Sequence, residues 1–482
     1  MFSKPVCYLF VALLGIVSPL VAFAQATESA KLTASDPGLD LFGFSVAIEA
    51  ETIVIGAESG DGMVLDDQGA VYVFKRVGAD WTQSAKLTAL DGAIGDKFGH
   101  SVAISDDSIA IGAPNEDGPG GTNRGAVYVF VRNGDNWNHQ AKLVSSQIEP
   151  FSEFGGAVAI DGDTLVVGAT FDDGPGGSSQ GSIYVFSRSG SSWTHQARLQ
   201  ASDGDAFDFL GGSVALDGDS AIAGARRAEG LMGGFRHGAA YIFTRNGTSW
   251  SQQAKLTAPD AMDEDELGYA VALDGDTALV SSLHGGGAVP NTGSVYIFER
   301  SGTAWTLQQE IFPANPSGGN SFGFSLDIDC NSLVVGDPNE FVGGIQTGAA
   351  FVFARNSIGV WTERATLIAS DAESADFLGC AAGISNETVV VGNYLDDGTT
   401  VVGQGSAYVF SFPVCLRADV DQSGFVDGGD IDLFSKVLLN FPSGDPWLDC
   451  AADVNADGVA DKSDIEPFVT CLILGTCPPL CS

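Results

Sequence analysis

FGGAVAIDGDTLVVGATFDDGPGGSSQGSIYVFSRSGSSWTHQARL, residues 154–199, is a unit that recurs seven times in this chain of 482 residues. The aromatic or aliphatic residue before the first glycine of each copy returns every 55 to 57 residues. These residues are Phe42, Phe98, Phe154, Leu210, Leu267, Phe322 and Leu378. A fixed period of this size is typical of solenoids, propellers and repeat arrays.

Each copy contains four short apolar runs rich in β-branched and aromatic residues, a composition that favours strands. In the third copy they are residues 156–160, 165–169, 182–186 and 193–199. Asp161-Gly162-Asp163 between the first two runs predicts a tight hairpin, because glycine adopts a positive φ at little cost. No run has a sustained helical period. Four antiparallel strands per copy predict one blade of a β-propeller.

The end of the seventh copy indicates how the ring closes. Fourth runs carry a tryptophan followed by an Ala-Lys-Leu-like triplet, as in Trp137 with residues 141–143. The seventh copy stops at Phe410 without such a run, whereas residues 30–32, Ala-Lys-Leu, precede the first copy. We therefore predict an all-β, seven-bladed propeller over residues 25–413, closed by its N-terminal strand. Closure removes sheet edges that otherwise invite aggregation.

The residues Phe98-Gly99 and Gly112-Ala113-Pro114 resemble the FG-GAP signature of integrin α subunits and of many bacterial extracellular proteins. The resemblance covers about residues 29–411. It implies a propeller and a role in extracellular recognition or cell adhesion. Integrin-type repeats often carry a D-x-D-x-D-G calcium loop. Here tight turns such as residues 161–163 stand in its place and supply fewer oxygens than the roughly six to eight that calcium prefers.

The N-terminus has the features of a secretory signal peptide over residues 1–24. Lys4 provides the charged start, residues 6–17 the apolar core, and Ala22-Phe23-Ala24 a cleavage site. The apolar core is too short to span a membrane. We therefore expect a secreted protein, extracellular or at the cell surface, without a transmembrane segment.

The chain is strongly acidic. Its 22 Lys and Arg against 61 Asp and Glu give a formal charge of −39. This balance excludes nucleic-acid binding, which requires basic contacts to phosphates, and favours solubility and cation binding. Acids are enriched in two sets of loops that emerge on one face of a propeller, for example residues 172–173 and 263–266. We expect this face to bind an extracellular protein or glycan.

The loop of the fourth copy, residues 226–237, breaks the acidic pattern with Arg226, Arg227, Arg236 and His237. Exposed arginine and aromatic residues are common at binding hot spots, so these four are candidate ligand-binding residues. The alternative is that they neutralise the acids around them.

No catalytic residue is predicted. The sequence has no G-x-S-x-G, no H-E-x-x-H and no phosphate loop. His139 and His195 share a repeat position with glutamine, and His100 shares one with Gly156 and Phe44, which favours surface roles. Carboxylates are too numerous for one acid–base pair to stand out.

Residues 414–482 form a module of another kind. Two loops 34 residues apart have EF-hand spacing, with oxygen side chains at positions 1, 3, 5, 9 and 12 and glycine at position 6. The candidate calcium ligands are Asp419, Asp421, Ser423, Phe425 (carbonyl), Asp427, Asp430, Asp453, Asn455, Asp457, Val459 (carbonyl), Asp461 and Asp464. Amphipathic segments 431–441 and 465–474 follow the loops and predict helices.

Two such loops, each followed by a helix, resemble a type I dockerin. The resemblance implies two bound Ca²⁺ ions and a cohesin-like receptor. Family dockerins contact the partner through loop positions 10 and 11, which here are Gly428-Gly429 and Lys462-Ser463. The alternative is a purely structural calcium module, because so small a domain buries little core and often needs metal or disulfides.

Cysteine use fits secretion. Besides Cys7 in the signal segment there are seven, of which five lie in the tail at positions 415, 450, 471, 477 and 481. Cys415 with Cys450, and Cys471 with Cys477 or Cys481, are plausible pairs. Cys330 and Cys380 fall in adjacent blades and either pair or stay free.

The sequence thus predicts a non-enzymatic binding or adhesion protein, attached to a surface or complex by its calcium-loaded tail. Two alternatives remain: a polysaccharide-acting propeller hydrolase or lyase delivered by the dockerin, and a structural cell-surface component. A convergent carboxylate pair at the mouth of the ring would favour the enzyme, and a shallow, variable loop face would favour binding.

Overall fold

The computed structural model describes residues 26–412, except 37–39, 60–67, 119–121, 229–236, 261, 287–288, 290, 316–318, 357–358, 387 and 398–402. The expected signal segment, the tail with all its candidate calcium ligands, and Arg236 lie outside the described residues.

The described residues form strands and no helix, and hence nothing in this part of the chain resembles a membrane-spanning helix. In chain order the strands are β1 (Thr27–Leu32), β2 (Phe42–Glu49), β3 (Thr52–Ala57), β4 (Ala70–Val77), β5 (Asp80–Leu87), β6 (Ser101–Ser105), β7 (Ser108–Ala113), β8 (Ala126–Asn133), β9 (Asn136–Leu143), β10 (Phe154–Asp161), β11 (Thr164–Ala169), β12 (Ser182–Ser189), β13 (Ser192–Leu199), β14 (Leu210–Asp217), β15 (Ser220–Ala225), β16 (Ala239–Asn246), β17 (Ser249–Leu256), β18 (Leu267–Asp274), β19 (Thr277–Ser282), β20 (Ser294–Ser301), β21 (Ala304–Ile311), β22 (Ser325–Asp329), β23 (Ser332–Asp337), β24 (Phe341–Val342), β25 (Ile345–Gln346), β26 (Ala349–Arg355), β27 (Trp361–Leu367), β28 (Ala381–Ser385), β29 (Thr388–Asn393) and β30 (Ser406–Ser411).

These strands build seven four-stranded antiparallel sheets, one for each repeat, which confirms the predicted propeller. Blades 1 to 5 are β2–β5, β6–β9, β10–β13, β14–β17 and β18–β21; blade 6 is β22, β23, β26 and β27; blade 7 is β28, β29, β30 and β1. Strands β24 and β25 form a separate small hairpin in the loop of blade 6. The first strand of each blade lies beside the first strands of its neighbours, and therefore lines the inside of the ring.

Strand β1 supplies the fourth strand of blade 7, as the sequence predicts. It pairs antiparallel with β30, from Thr27 opposite Ser411 to Leu32 opposite Ala407. Leu32 is buried in the core between blades 7 and 1. The two ends of the propeller are thus held in one sheet.

The glycines of the repeat mark the places where neighbouring blades touch. A Cβ added to Gly56 in blade 1 would lie 2.0 Å from the carbonyl oxygen of Gly99 in blade 2. The same 2.0 Å approach recurs at Gly112/Gly155, Gly168/Gly211, Gly224/Gly268, Gly336/Gly379 and Gly392/Gly43. Only glycine fits so close to another backbone, so at these six seams the two glycines are the two sides of one contact. Between blades 5 and 6, Ser281 takes the place of the first glycine and lies beside Gly323.

The core lies between the blades. Phe98 is fully buried and packs against the rings of Tyr128 and Phe130, at centroid distances of 5.3 and 6.3 Å. Phe42, Phe154 and Phe322 occupy the same setting in their blades. Burying each such side chain contributes about 1.5–3 kcal/mol.

The Asp-Gly-Asp turns join neighbouring blades. The first carboxylate of the turn at residues 161–163 accepts the N–H of Gly218 in the next blade at 2.8 Å, and the second pairs with Arg188 at 2.6 Å. Ser385 in blade 7 accepts the N–H of Ala50 in blade 1 at 3.1 Å, which continues these bonds across the closing seam. The turn carboxylates are therefore already engaged in holding the ring.

Candidate ligand site at the mouth of the ring

The loops between second and third strands, and between one blade and the next, emerge on one side, which we call the loop face. Its acids are mostly engaged within the fold. Asp96, Asp208, Asp265 and Asp376 are buried, and each accepts a backbone N–H three residues earlier at 2.6–2.7 Å. In blade 2, Asp91 and Glu116 both pair with Lys142. Many of the acids expected to face a ligand thus hold turns together.

The varied residues of the repeat converge where the innermost strands reach the loop face, a region we call the mouth. Phe44 of blade 1 contacts Tyr394 of blade 7 and His100 of blade 2, at centroid distances of 5.7 and 5.0 Å. Tyr269 of blade 5 contacts Phe324 of blade 6 at 5.3 Å. Side chains from several blades therefore meet around one opening.

One repeat position sets the shape of the mouth. The residue after Phe-Gly or Leu-Gly is Phe44, His100, Gly156, Gly212, Tyr269, Phe324 or Cys380 in the seven copies. Blades 3 and 4 thus have glycine where most of the others have a ring. A Cβ at Gly212 would meet no atom closer than 3.6 Å, the carbonyl oxygen of Phe209, with Thr170 at 3.8 Å. The two glycines leave a notch beside Thr170.

Arg226 packs on Phe209, whose carbonyl oxygen is the atom nearest to a Cβ at Gly212. Its guanidinium lies over the rings of Phe209 and Tyr269, at 5.7 and 5.8 Å from their centroids. Its Nε is buried and has no hydrogen-bond partner among the described residues. A guanidinium held between two rings with an unsatisfied N–H is suited to bind an acceptor, most strongly a carboxylate.

Two glutamates at the mouth have opposite electrostatic environments. Burial raises the pKa of Glu153, while the positive charges of His100, Lys97 and Arg226 oppose the rise. Burial also acts on Glu58, but there it is outweighed by His100, whose Nδ1 lies 2.6 Å from Glu58 Oε2, and by Lys97, so its pKa falls below the usual range. The mouth therefore holds two carboxyl groups whose pKa values are shifted in opposite directions.

The backbone at the mouth and at nearby loop tips is strained. The residue before Phe-Gly or Leu-Gly has a φ of 54 to 65° in six copies, among them Lys97, Glu153 and Phe209. Phe151 and Phe207, in the loops that enter blades 3 and 4, are 62 % and 49 % exposed and have φ values of 64 and 69°. Positive φ is unfavourable for such side chains, and strain of this kind clusters at functional sites.

The structure divides the four candidate ligand residues of the fourth copy. Arg226 lies at the mouth, and Arg227 stacks on Phe209 at 5.2 Å with its Nε 3.9 Å from Glu266. The carbonyl of His237 accepts the N–H of Leu267 at the seam between blades 4 and 5, at 2.9 Å. Arg236 lies outside the described residues.

The remaining histidines and cysteines also have defined places. His139 and His195 are exposed on outer strands. Cys380 is a buried free thiol, whereas Cys330 is disulfide-bonded. A disulfide between Cys330 and Cys380, one option left open by the sequence, is therefore wrong. No three His, Cys, Asp or Glu side chains of the described part of the chain come together as a metal site.

Comparison with protein-family models agrees with this architecture. The FG-GAP repeat model matches seven segments, residues 26–74, 81–130, 137–186, 193–243, 250–298, 305–353 and 361–410. The chain belongs to the FG-GAP repeat family. Residues 417–467 match the dockerin type I domain, a calcium-binding module whose partner is a cohesin. No curated protein matches the chain. An FG-GAP propeller joined to a dockerin indicates an extracellular or cell-surface protein attached to a complex.

Within this FG-GAP propeller, sequence reasoning missed Glu58, Lys97 and Glu153, and it assigned His100 a surface role although its ring lies at the mouth against Glu58 and Phe44. These residues occupy the positions next to the Phe-Gly and Gly-Ala motifs, and they differ from copy to copy. Aligning the seven copies and reading the variable positions beside the fixed glycines would have found them. The fixed residues hold blades together, so the variable ones are free to serve a ligand.

Proposed function

We propose that this FG-GAP protein is a secreted, non-catalytic binding component of an extracellular assembly. Residues 1–24 are its signal peptide, residues 25–413 its ligand-binding propeller, and residues 414–482 its docking module. The propeller takes an extracellular protein or glycan at the mouth, and the tail, loaded with two Ca²⁺ ions, attaches the protein to a cohesin-bearing partner.

The observation that carries the ligand site is the notch in blades 3 and 4. Glycine replaces a bulky residue at two adjacent positions, Gly156 and Gly212, and Arg226, which packs on Phe209, has an unsatisfied N–H. A structural ring would gain from filling this space, because apolar burial and van der Waals contacts stabilise a fold. The open space and the unpaired donor are both accounted for by a ligand.

Filling the notch tests the site directly. Gly212 is not in the left-handed region, and Phe44 and Phe324 already occupy the equivalent position. Binding of the full-length protein to a panel of neutral and acidic soluble polysaccharides is measured by affinity gel electrophoresis. Protein ligands are tested in a second experiment, in which the full-length protein is immobilised and extracellular protein extracts without cohesin are passed over it. We expect Gly212→Phe and Arg226→Ala to weaken retention of the same ligand at least tenfold.

The controls separate the site from general effects. Gly212→Ala adds one methyl group to an open position, and Lys75→Ala removes a cation from an exposed ion pair elsewhere. Both should bind like the wild type. Equal binding by Gly212→Phe and the wild type would contradict a ligand site at the notch, whatever ligand is found.

The docking module is tested separately. Calcium ligands are deprotonated oxygens, so Asp419→Ala and Asp453→Ala should each remove one calcium from the full-length protein in calorimetric titration. Cohesin binding should require calcium and weaken in both variants. Unchanged calcium stoichiometry in both would contradict the two-loop assignment.

A second candidate function, polysaccharide cleavage, is favoured by the glutamate pair. Catalytic acids and bases are recognised by environments that push their pKa values apart, as at Glu153 and Glu58. If the protein releases reducing ends or unsaturated sugars from a polysaccharide, Glu153→Gln should lower the rate by about 10²-fold or more. Glu149→Gln, an exposed neighbour in the same loop, is the matched control. Ligand binding without turnover would favour the binding function.

A further inference from the structure

A cluster of tyrosine, aspartate and a cation recurs in five blades, close to the loop face. The tyrosine on the third strand lies opposite a basic residue on the fourth: Tyr72 opposite Lys86, Tyr128 opposite Lys142, Tyr184 opposite Arg198, Tyr241 opposite Lys255 and Tyr408 opposite Lys31. Each basic group makes an ion pair with an aspartate at 2.5–2.8 Å. In these five blades, the fourth-strand residue opposite the tyrosine is thus positively charged.

Blade 5 keeps the acid and the tyrosine but reverses the charge of the third member. Tyr296 lies opposite Glu310 in the same register and donates a hydrogen bond to Asp260 at 3.1 Å. Glu310 Oε1 is buried without a hydrogen-bond partner among the described residues. Burial raises the pKa of Glu310 and the negative charges of Asp260 and Asp265 raise it further, while the hydroxyl groups of Tyr296 and Ser294 oppose the rise. Two carboxylates therefore lie together in blade 5, where five other blades pair a carboxylate with a cation.

A serine gives independent evidence for a missing positive charge. Ser294 is fully buried, and its Oγ has no hydrogen-bond partner among the described residues. Its counterpart in blade 3 is Ser182, whose Oγ accepts a hydrogen bond from Arg198 at 3.2 Å. Arg198 holds the position that Glu310 holds in blade 5. The hydroxyl of Ser294 thus faces a position that a basic group fills in blade 3.

Blade 6 provides the contrast. There Phe351 replaces the tyrosine and lies opposite Thr366, so neither member of that strand pair is charged. The residue that corresponds to Asp260 is Asn315. Where the repeat has lost its cation in blade 6, it has lost the acid as well. Blade 5, by contrast, retains Asp260 and adds Glu310, with no basic residue in this register.

We propose that blade 5 binds a divalent cation of the calcium class between Asp260 and Glu310, with Ser294 Oγ and Tyr296 Oη as further oxygen ligands. Calcium accepts carboxylate, hydroxyl and water oxygens in flexible geometry. Asp260 is exposed, which leaves a path for the ion and for the waters that complete its shell. With only two carboxylates, the site differs from the tail loops and from the Asp-Gly-Asp turns on the opposite face.

The test counts calcium ions in the full-length protein. Glu310→Lys restores the residue type of blades 1, 2, 4 and 7 and should fold, while its ammonium takes the place of the ion. In calorimetric titration with CaCl₂ we expect this variant to bind one calcium fewer per chain than the wild type. Glu51→Lys, an exposed residue with the same change in charge, should match the wild type.

A second pair of measurements separates a cation from a proton. Glu310→Gln keeps the shape but removes the charge, and should weaken the blade 5 site at least tenfold without affecting the tail. Asp453→Ala should remove a tail site and leave the blade 5 site intact. Equal stoichiometry and affinity in the wild type, Glu310→Lys and Glu310→Gln would mean that Glu310 is simply protonated, and would overturn the proposal.

Discussion

Gly392 of blade 7 lies against the backbone carbonyl of Gly43 of blade 1, so closely that a Cβ at Gly392 would be 2.0 Å from that oxygen. The contact crosses the seam where the ring closes, yet it has the same geometry as the seams between consecutive blades. Blades separated by the whole length of the propeller are therefore packed like neighbours in sequence.

Replacing this glycine should destabilise the whole ring. The carbonyl of Gly43 belongs to the backbone and cannot rotate away, so Gly392→Ala forces the two blades apart. Overpacking of this kind costs typically about 1–3 kcal/mol. Chemical denaturation followed by tryptophan fluorescence measures the loss. Gly212→Ala, whose Cβ would meet nothing closer than 3.6 Å, is the control and should stay within about 0.5 kcal/mol of the wild type.

The closing strand makes a second prediction. Removal of residues 26–32 takes away β1 and leaves β30 as an open sheet edge next to the exposed core around Leu32. Open edges of this kind pair with other chains. We expect the shortened protein to oligomerise or aggregate on size-exclusion chromatography, and a monomer of unchanged thermal stability would contradict the role of β1. Leu32→Ala, which keeps the edge covered, should remain monomeric but lose about 2–5 kcal/mol.

The disulfide state is a third prediction. Cys330 is disulfide-bonded and Cys380 is free, so the partner of Cys330 is one of the other cysteines. If Cys7 leaves with the signal peptide, Cys330 and the five tail cysteines make an even set. Peptide mapping under non-reducing conditions should find Cys330 in a disulfide and a free thiol at Cys380. A free thiol at Cys330 or a link to Cys380 would contradict this.

The fold was predictable because its determinants are repeated. The seven Phe-Gly or Leu-Gly motifs fix the blade number, and the Ala-Lys-Leu triplet before the first copy, with its absence after the last, fixes the closure. The mouth was not predictable in the same way. A histidine follows the Phe-Gly or Leu-Gly motif in one copy only, and the approach of Glu153 to His100 depends on ring geometry. The acids of the loop face looked available for a ligand because contacts such as the ion pair of Glu116 with Lys142, 26 positions apart, are not visible in the sequence.

Glu310 was partly predictable from the sequence. The weakening of the Ala-Lys-Leu triplet to Gln-Glu-Ile at residues 309–311 is visible in the sequence. Its consequence is visible only once the register places Glu310 opposite Tyr296 and the loop brings Asp260 to the same hydroxyl. In the sequence, Glu310 looks like an ordinary substitution in a weakened triplet. In the structure, it replaces the cation that faces the tyrosine in five other blades.

The last prediction concerns pH. Asp337 is completely buried in blade 6, where four other blades have alanine, and its Oδ2 has no hydrogen-bond partner among the described residues. Burial raises the pKa of Asp337 to about 7, although the N–H groups of Ser321 and Asn339 donate to Oδ1. In the unfolded chain the pKa is about 3.9. Between these values the folded protein retains a proton that the unfolded chain has released.

The contribution of Asp337 to stability must therefore fall as pH rises from about 4 to about 7, because its carboxyl binds more protons in the folded state over that range, and then level off. One unit of pKa shift corresponds to about 1.4 kcal/mol, so we expect the total loss to exceed that amount. Asp337→Asn reproduces the residue of blade 7, Asn393, and should remove this contribution, with its advantage over the wild type growing up to about pH 7. Asp80→Asn, an exposed control, should run parallel to the wild type. The free energy of unfolding is measured by chemical denaturation at several pH values in constant calcium. If it depends on pH in the same way for Asp337→Asn and the wild type, Asp337 is ionised in the folded protein and the prediction is wrong.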